Sequence, residues 1–235
     1  MVGIILSYLR YLYCAITFLS FQKVLLRNLS LLLGGVLIVT SCAKPNLHDP
    51  NAQIEVDVDG DNYLIPLNHI VRPDTGSYTS FETDMGHGYF FWPSGRGLNN
   101  SDKNPNVFDY DNNIIEFYWA AKNSKIEGAD IPTRIDSIKQ EENRDFDRDG
   151  YELEAYVGSG DLYAIYYIGS TYTDAPITIR CMPTVDEDQD RMCQMDYMYP
   201  EYNNYVRLQF SKKHLADWQA INTMAIDYMK KWHQD

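Results

Sequence analysis

"NYVRLQFSKKHLADWQAINTMAIDYMKKW", residues 204–232, changes its hydrophobic period partway along. In the first eight residues Val206, Leu208 and Phe210 alternate with polar neighbours, the two-residue repeat of a strand that buries one face. Beyond Ser211 the apolar residues Leu215, Trp218, Ile221, Ala225, Tyr228, Met229 and Trp232 recur every three or four positions. That spacing predicts an amphipathic helix of about five turns, with Ser211 as its N-cap. A strand that runs straight into so apolar a helix predicts a sheet with the helix laid over it.

The segments upstream supply the sheet. "QIEVDV-DGDN-YLIPL" (53–67) alternates on both sides of an Asp-Gly turn and reads as a hairpin. "GYFFWP" reads as a buried strand ending at Pro93, and "NIIEFYWAAK" (113–122) as a strand with Ile115, Phe117 and Trp119 on one face. "IPTRIDSIKQEENR" suggests a short helix from about Thr133. "YELEAYV-GSG-DLYAIYYI" (151–168) reads as a hairpin with a tight Gly-Ser-Gly loop. Leu153, Ala155 and Val157 face one way in it, and Glu152, Glu154 and Tyr156 the other. The fold class is therefore α+β: a largely antiparallel sheet or half-barrel covered by one C-terminal amphipathic helix, forming a single domain over 53–235.

Charge is distributed unevenly. Residues 1–41 contain three of the 20 basic residues and none of the 33 acidic ones, which leaves 17 − 33 = −16 on the remainder. Such a surface repels phosphate backbones, which argues against nucleic acid, and it favours basic partners. The N-terminal segment is apolar, and Arg27 precedes the uncharged run "NLSLLLGGVLIVTS" (28–41). This run has the length of a signal-peptide core and is short for a membrane span. An uncleaved anchor reaching back through residues 1–22 is interrupted by Lys23 and Arg27, and the length of the whole segment suits a start assigned too far upstream.

Val39-Thr40-Ser41-Cys42 resembles the lipobox of bacterial lipoproteins. The resemblance implies cleavage before Cys42 by a type II signal peptidase and acylation of that cysteine, palmitate among its acyl groups. Two or three acyl chains anchor a protein stably where one does not. Residues 42–52 would then be the lipidated Cys and a polar tether. Ala43 after the cysteine implies the outer membrane, with the domain in the periplasm. In an oxidising compartment the remaining thiols, Cys181 and Cys193, are expected to pair. They sit on two strand-like segments, "APITIRCM" and "MCQMDYMY", flanking an acidic loop. Closing a loop of that size contributes roughly 3 kcal/mol.

Catalytic signatures are lacking: there is no G-x-S-x-G, and the five histidines show no metal-site spacing. No enzymatic activity is expected. "DFDRDGYELE" matches the first half of an EF-hand loop through Asp145, Asp147, Asp149 and Gly150, a possible calcium site. The match fails at the eighth and twelfth positions, Glu152 and Tyr156. Asp57, Asp59 and Asp61 are explained by their hairpin turn. Asp186, Glu187, Asp188 and Asp190 form an acidic tip on the cysteine hairpin, a candidate contact with a basic protein. Tyrosine is abundant, 19 residues, which suits both half-buried strand faces and a binding surface.

Taken in order, "VDVDGDNYLIPLNHI", "FFWPSGRGLNN", the cysteine hairpin and "YVRLQFSKKHLADWQAI" resemble immunity-type lipoproteins of contact-dependent secretion systems and related exported Gram-negative proteins. The resemblance implies a membrane-anchored lipoprotein whose domain binds another protein, in its sharpest form an immunity protein that neutralises a toxic effector. The alternative is an envelope scaffold, structural or stabilised by calcium.

Overall fold

The computed structural model describes residues 51–70, 80–98, 113–121, 130–158, 164–182 and 192–234. In chain order its strands are β1 (Gln53–Val58), β2 (Asp61–Pro66), β3 (Ser80–Thr83), β4 (Gly86–Phe91), β5 (Ile114–Ala121), β6 (Asn143–Arg144), β7 (Glu154–Val157), β8 (Ile165–Ser170), β9 (Pro176–Cys181), β10 (Met192–Tyr199) and β11 (Asn204–Ser211). The α-helices are α1 (Ile131–Glu141) and α2 (Trp218–Trp232). Eight strands form one antiparallel sheet in the order β4-β5-β11-β10-β9-β8-β7-β6, and a three-stranded sheet has the order β2-β1-β3. The α+β reading holds, with a second sheet that the sequence pattern did not separate. Its hairpin turns at Asp59 and Gly60, both at positive φ (54° and 95°) as a type I′ turn requires, and β3 joins β1 in parallel.

The alternating residues of the large sheet point into one core. Ile115, Phe117 and Trp119 on β5 and Val206, Leu208 and Phe210 on β11 are fully buried there, together with Trp218, Ile221, Ala225, Met229 and Trp232 of α2. Phe117 and Trp232 stack with ring centroids 5.6 Å apart. Gly88 on β4 admits them: a Cβ there would lie 2.7 Å from Phe117 Cζ and 3.0 Å from Trp232 Cζ3. The small sheet closes on the same core through Tyr63, whose ring is 5.2 Å from Trp119 and whose hydroxyl accepts from Asn204 Nδ2 at 3.4 Å. Cys181 and Cys193 are directly opposed on β9 and β10, fully buried and disulfide-bonded.

Several boundaries differ from the sequence reading. Residues Lys212–Asp217 form a 3-10 helix, and α2 begins only at Trp218. Ser211 does cap, but it accepts from Lys213 N at 3.3 Å, and the Trp218 N–H bonds to the Leu215 carbonyl in the tighter pattern. Strand β4 stops at Phe91, two residues before Pro93, because the Phe91 N–H turns to the Arg96 carbonyl at 2.9 Å. Val157 opposes Ile165 and Gly158 N bonds to the Ala164 carbonyl at 2.9 Å, a register that does not fit a tight turn on Gly-Ser-Gly; residues 159–163 lie outside the described residues. Helix α1 starts at Ile131, capped by the Asp130 carboxylate, which accepts from Thr133 N at 3.2 Å. It covers the outer face of the sheet, where Ile138 packs on Tyr156 and Ile168. Tyr156, assigned by alternation to a polar face, is therefore buried.

Cys42, the lipobox, the tether up to residue 50 and the acidic tip at Asp186, Glu187, Asp188 and Asp190 lie outside the described residues. Among the described residues no helix is long and apolar enough to cross a membrane.

Candidate protein-binding tip

Two connections, β6 to β7 and β8 to β9, converge at one end of the β6–β7–β8 edge. Register fixes this: Arg144 opposes Tyr156, Asp145 N bonds to the Ala155 carbonyl at 2.9 Å, and Glu154 opposes Ile168. The segment leaving β6, the turn entering β7 and the turn leaving β8 therefore share that end. Each displays an aromatic ring. Phe146 is 76% exposed, Tyr151 56% and Tyr172 62%, three of the four exposed large apolar residues among those described. Exposed aromatics gathered in one place mark a binding surface more than scattered ones do.

The turns that hold these rings are built by local hydrogen bonds. Asp145 accepts from Asp147 N at 3.2 Å and caps the 3-10 turn Phe146–Arg148. Gly150 and Leu153 exchange backbone bonds of 3.2 and 2.9 Å around Tyr151 and Glu152, which both take positive φ (56° and 64°). That is a type I′ turn made without glycine at its centre, a backbone that costs on the order of 1–3 kcal/mol per residue and persists only when neighbours hold it. Trp218 Nε1 donates to the Tyr151 carbonyl at 3.0 Å and Gln219 Nε2 to Glu152 Oε2 at 2.6 Å. Gly169 on β8 leaves room below, since a Cβ there would lie 2.6 Å from Leu153 Cδ2. In the third turn Thr171 Oγ1 accepts from Thr173 N and Ala175 N at 3.3 and 3.2 Å, leaving Tyr172 outside.

Acidic groups surround the rings: Asp147, Asp149, Glu152 and Asp174 are all exposed. The sequence places Asp145, Asp147 and Asp149 in a calcium loop, and the structure gives two of them other partners. Arg148 Nε pairs with Asp145 at 2.9 Å. Arg144 Nη2 pairs with Asp149 at 2.5 Å, and the other Asp149 oxygen accepts from Ala155 N at 2.8 Å. Among the described residues no three His, Cys, Asp or Glu side chains are arranged to hold a metal ion. The aromatic members were missed in sequence. The available signal was Phe146, an aromatic residue inside an otherwise charged loop.

A second polar cluster lies on the outer sheet face beside α1. Asp196 on β10 is 1% exposed and accepts from Arg207 Nε (2.8 Å), Tyr205 Oη (2.5 Å), Arg134 Nη1 (2.6 Å) and Gln194 Nε2 (2.9 Å). Burial alone would raise its pKa. The bonds from Arg207 and Tyr205 and the Arg207 charge outweigh that and hold the carboxyl below its usual range. Burial, and then the Asp196 charge, push the Tyr205 hydroxyl up. All four lone-pair sites of the carboxylate are used, which fits a structural anchor better than a reactive acid.

No family model matches the chain, and no curated protein matches its sequence. Two solved structures superpose on this chain. An iron-regulated outer membrane lipoprotein of Neisseria meningitidis covers 76% of this chain and 93% of its own at 11% identity, with a TM-score of 0.48, a superposition too loose to build on. An immunity protein of the Stenotrophomonas maltophilia type IV secretion system superposes with a TM-score of 0.53 at 12% identity, over 78% of this chain and 94% of its own, and with it this chain shares a fold.

Proposed function

We propose that this domain binds another protein, and that in its sharpest form it is an immunity protein that neutralises a toxic effector in the cell envelope. The observation that carries the reading is the trio Phe146, Tyr151 and Tyr172, exposed at one end of the sheet on turns braced from below. An apolar centre ringed by carboxylates fits a partner with an apolar pocket and a basic rim. The charge of the chain adds long-range attraction, which speeds capture of a basic partner at low salt. The shared fold with a secretion-system immunity protein supports the role. It does not identify the effector. Lipidation at Cys42 would hold the domain at the outer membrane, facing the periplasm. No step in this role requires catalysis.

The test is genetic and structural together. Deleting the gene should sensitise cells to an effector delivered by siblings or encoded nearby. Reintroducing the chain should protect them, and Phe146→Ala with Tyr151→Ala and Tyr172→Ala should not, although the variant keeps its circular dichroism spectrum. Loss of a single hot-spot aromatic typically costs about 2 kcal/mol of binding or more. If deletion sensitises cells to no effector, the immunity role fails and the envelope-scaffold alternative gains. If the triple variant protects fully, the tip is not the contact surface.

A further inference from the structure

The edge of α1 and the outer face of β8–β10 enclose a cleft of about 290 Å³. Its floor is a cross-strand row on three adjacent strands, Gln194 opposite Arg180 and Arg180 opposite Tyr166. Its wall is helical, with Ser137 and Glu141 facing the same space. Arg180 is the unusual member. It is half-buried, and among the described residues its guanidinium has no ion pair or hydrogen bond. The Tyr166 ring lies 5.9 Å from its Cζ. Its Nε is shielded from solvent without an acceptor.

In a chain with 33 acidic and 20 basic residues an arginine left without a carboxylate among the described residues is conspicuous. A shielded donor without an acceptor costs free energy until something supplies one. A planar guanidinium accepts a carboxylate through two parallel bonds, and a ring beneath it holds the fork in place. Asp196 does not fill the role, because Arg134, Arg207, Tyr205 and Gln194 already saturate it. Glu141 on the helix wall is exposed and has no ion pair among the described residues. It disfavours a dianion in the cleft and favours a positive group beside the bound carboxylate.

We infer that this cleft binds a small zwitterionic carboxylate, with the carboxylate on Arg180 and the positive group toward Glu141. The volume suits an amino-acid-sized group and lies at the small end of ligand sites. The same pair of charges occurs in a free α-amino acid and in neighbouring acidic and basic side chains of a polypeptide. The site is on the outer sheet face and is independent of the aromatic tip.

The experiment is protection of Arg180 from phenylglyoxal, followed by peptide mass mapping of the full chain in mild detergent. The probes are alanine, which carries both charges, propionate and alaninamide, which carry one each, and the blocked dipeptide N-acetyl-Glu-Lys-amide. At about 50 mM, alanine or the dipeptide should slow Arg180 modification about threefold or more, with propionate weaker and alaninamide inert. Protection by alanine assigns a free amino acid as the ligand source; protection by the dipeptide alone assigns a polypeptide. Glu141→Gln should remove the advantage of alanine over propionate. Unchanged modification with every probe, or equal protection by alaninamide and alanine, overturns the carboxylate site. Equal protection by propionate and alanine overturns the zwitterion assignment.

Discussion

Trp218 donates its indole N–H to the backbone carbonyl of Tyr151 at 3.0 Å, so the first residue of α2 braces a turn 67 residues earlier in the chain. The helix that closes the core thus also holds the candidate binding tip. Trp218→Phe keeps the buried ring and removes the donor. It should cost about 1 kcal/mol of stability, the usual worth of one hydrogen bond. The local effect should be larger than the global one, since Tyr151 and Glu152 occupy positive φ that the chain holds only under constraint. Amide exchange at Leu153, whose N–H closes the turn at 2.9 Å, should accelerate in the variant. Unchanged exchange at that amide would show that the brace is dispensable.

Asp196→Asn replaces the acceptor shared by Arg134 and Arg207. Removing one partner of a buried charge cluster costs about 3–5 kcal/mol, because the remaining charges stay out of water. The arginine side chains are 27% and 24% exposed and recover some hydration, which places the expected loss at about 3 kcal/mol, read from chemical denaturation. The pH dependence has a definite sign. The folded carboxyl titrates below its ordinary value of 3.8, so its contribution is complete above that pH. It is lost as pH falls below 3.8 through the folded value. Wild type should therefore show an acid-induced loss of stability that the Asn variant lacks. Equal acid sensitivity of the two proteins would remove Asp196 as its source.

Much of this fold is legible in the sequence because it follows from alternation. Val206, Leu208 and Phe210, or Ile115, Phe117 and Trp119, point inward as a period of two requires. The cysteine pair is legible because two strand-like segments flank a short loop. The second face of the sheet is not. Alternation assigns Tyr156 to a polar side, and only the arrival of Ile138 on α1 buries it. Asp196, Arg134 and Arg207 come from three separate elements, and no local pattern announces that they meet. The aromatic tip is assembled in the same way, from turns separated in the chain and united by strand register. Periodicity reports which way one residue faces; convergence depends on pairing between distant segments.

Calcium should leave the melting temperature unchanged. For Asp145, Asp147 and Asp149 to ligate the ion together, the 2.9 Å pair of Arg148 with Asp145 and the 2.5 Å pair of Arg144 with Asp149 would have to break. The other Asp149 oxygen accepts from Ala155 N at 2.8 Å and ties the loop to β7. Exposed pairs of this kind contribute about 0–1 kcal/mol each, but the Asp149–Ala155 bond closes the loop onto the strand. Asp147→Ala should accordingly be near neutral, within about 0.5 kcal/mol, as expected for an exposed residue outside any buried network. A rise in melting temperature with millimolar calcium that Asp147→Ala abolishes would restore the metal-bound loop.

His69 gives the domain a second, milder pH dependence. It is buried beside Tyr228 and Trp232, with ring centroids 5.0 and 5.6 Å away, and its Nδ1 lies 3.0 Å from the Tyr89 carbonyl. A carbonyl only accepts, so Nδ1 carries the proton of the neutral ring. Burial holds its pKa below the ordinary value of 6.5, against the opposing pull of the Tyr89 carbonyl; the Lys231 charge adds to the lowering. In the unfolded chain the ring protonates near 6.5, and in the folded chain only at lower pH. The unfolded state therefore binds more protons between those values, and stability that is complete above 6.5 declines as pH falls toward the folded value. The slope from one group cannot exceed about 1.4 kcal/mol per pH unit. His69→Phe keeps a ring in the aromatic cluster and removes the titration. The variant loses the hydrogen bond to Tyr89 and with it some stability at every pH, so the titration is read from the slope of unfolding free energy between about pH 7 and 5. That slope should flatten in the variant, and an unchanged slope would assign the dependence to a group other than His69.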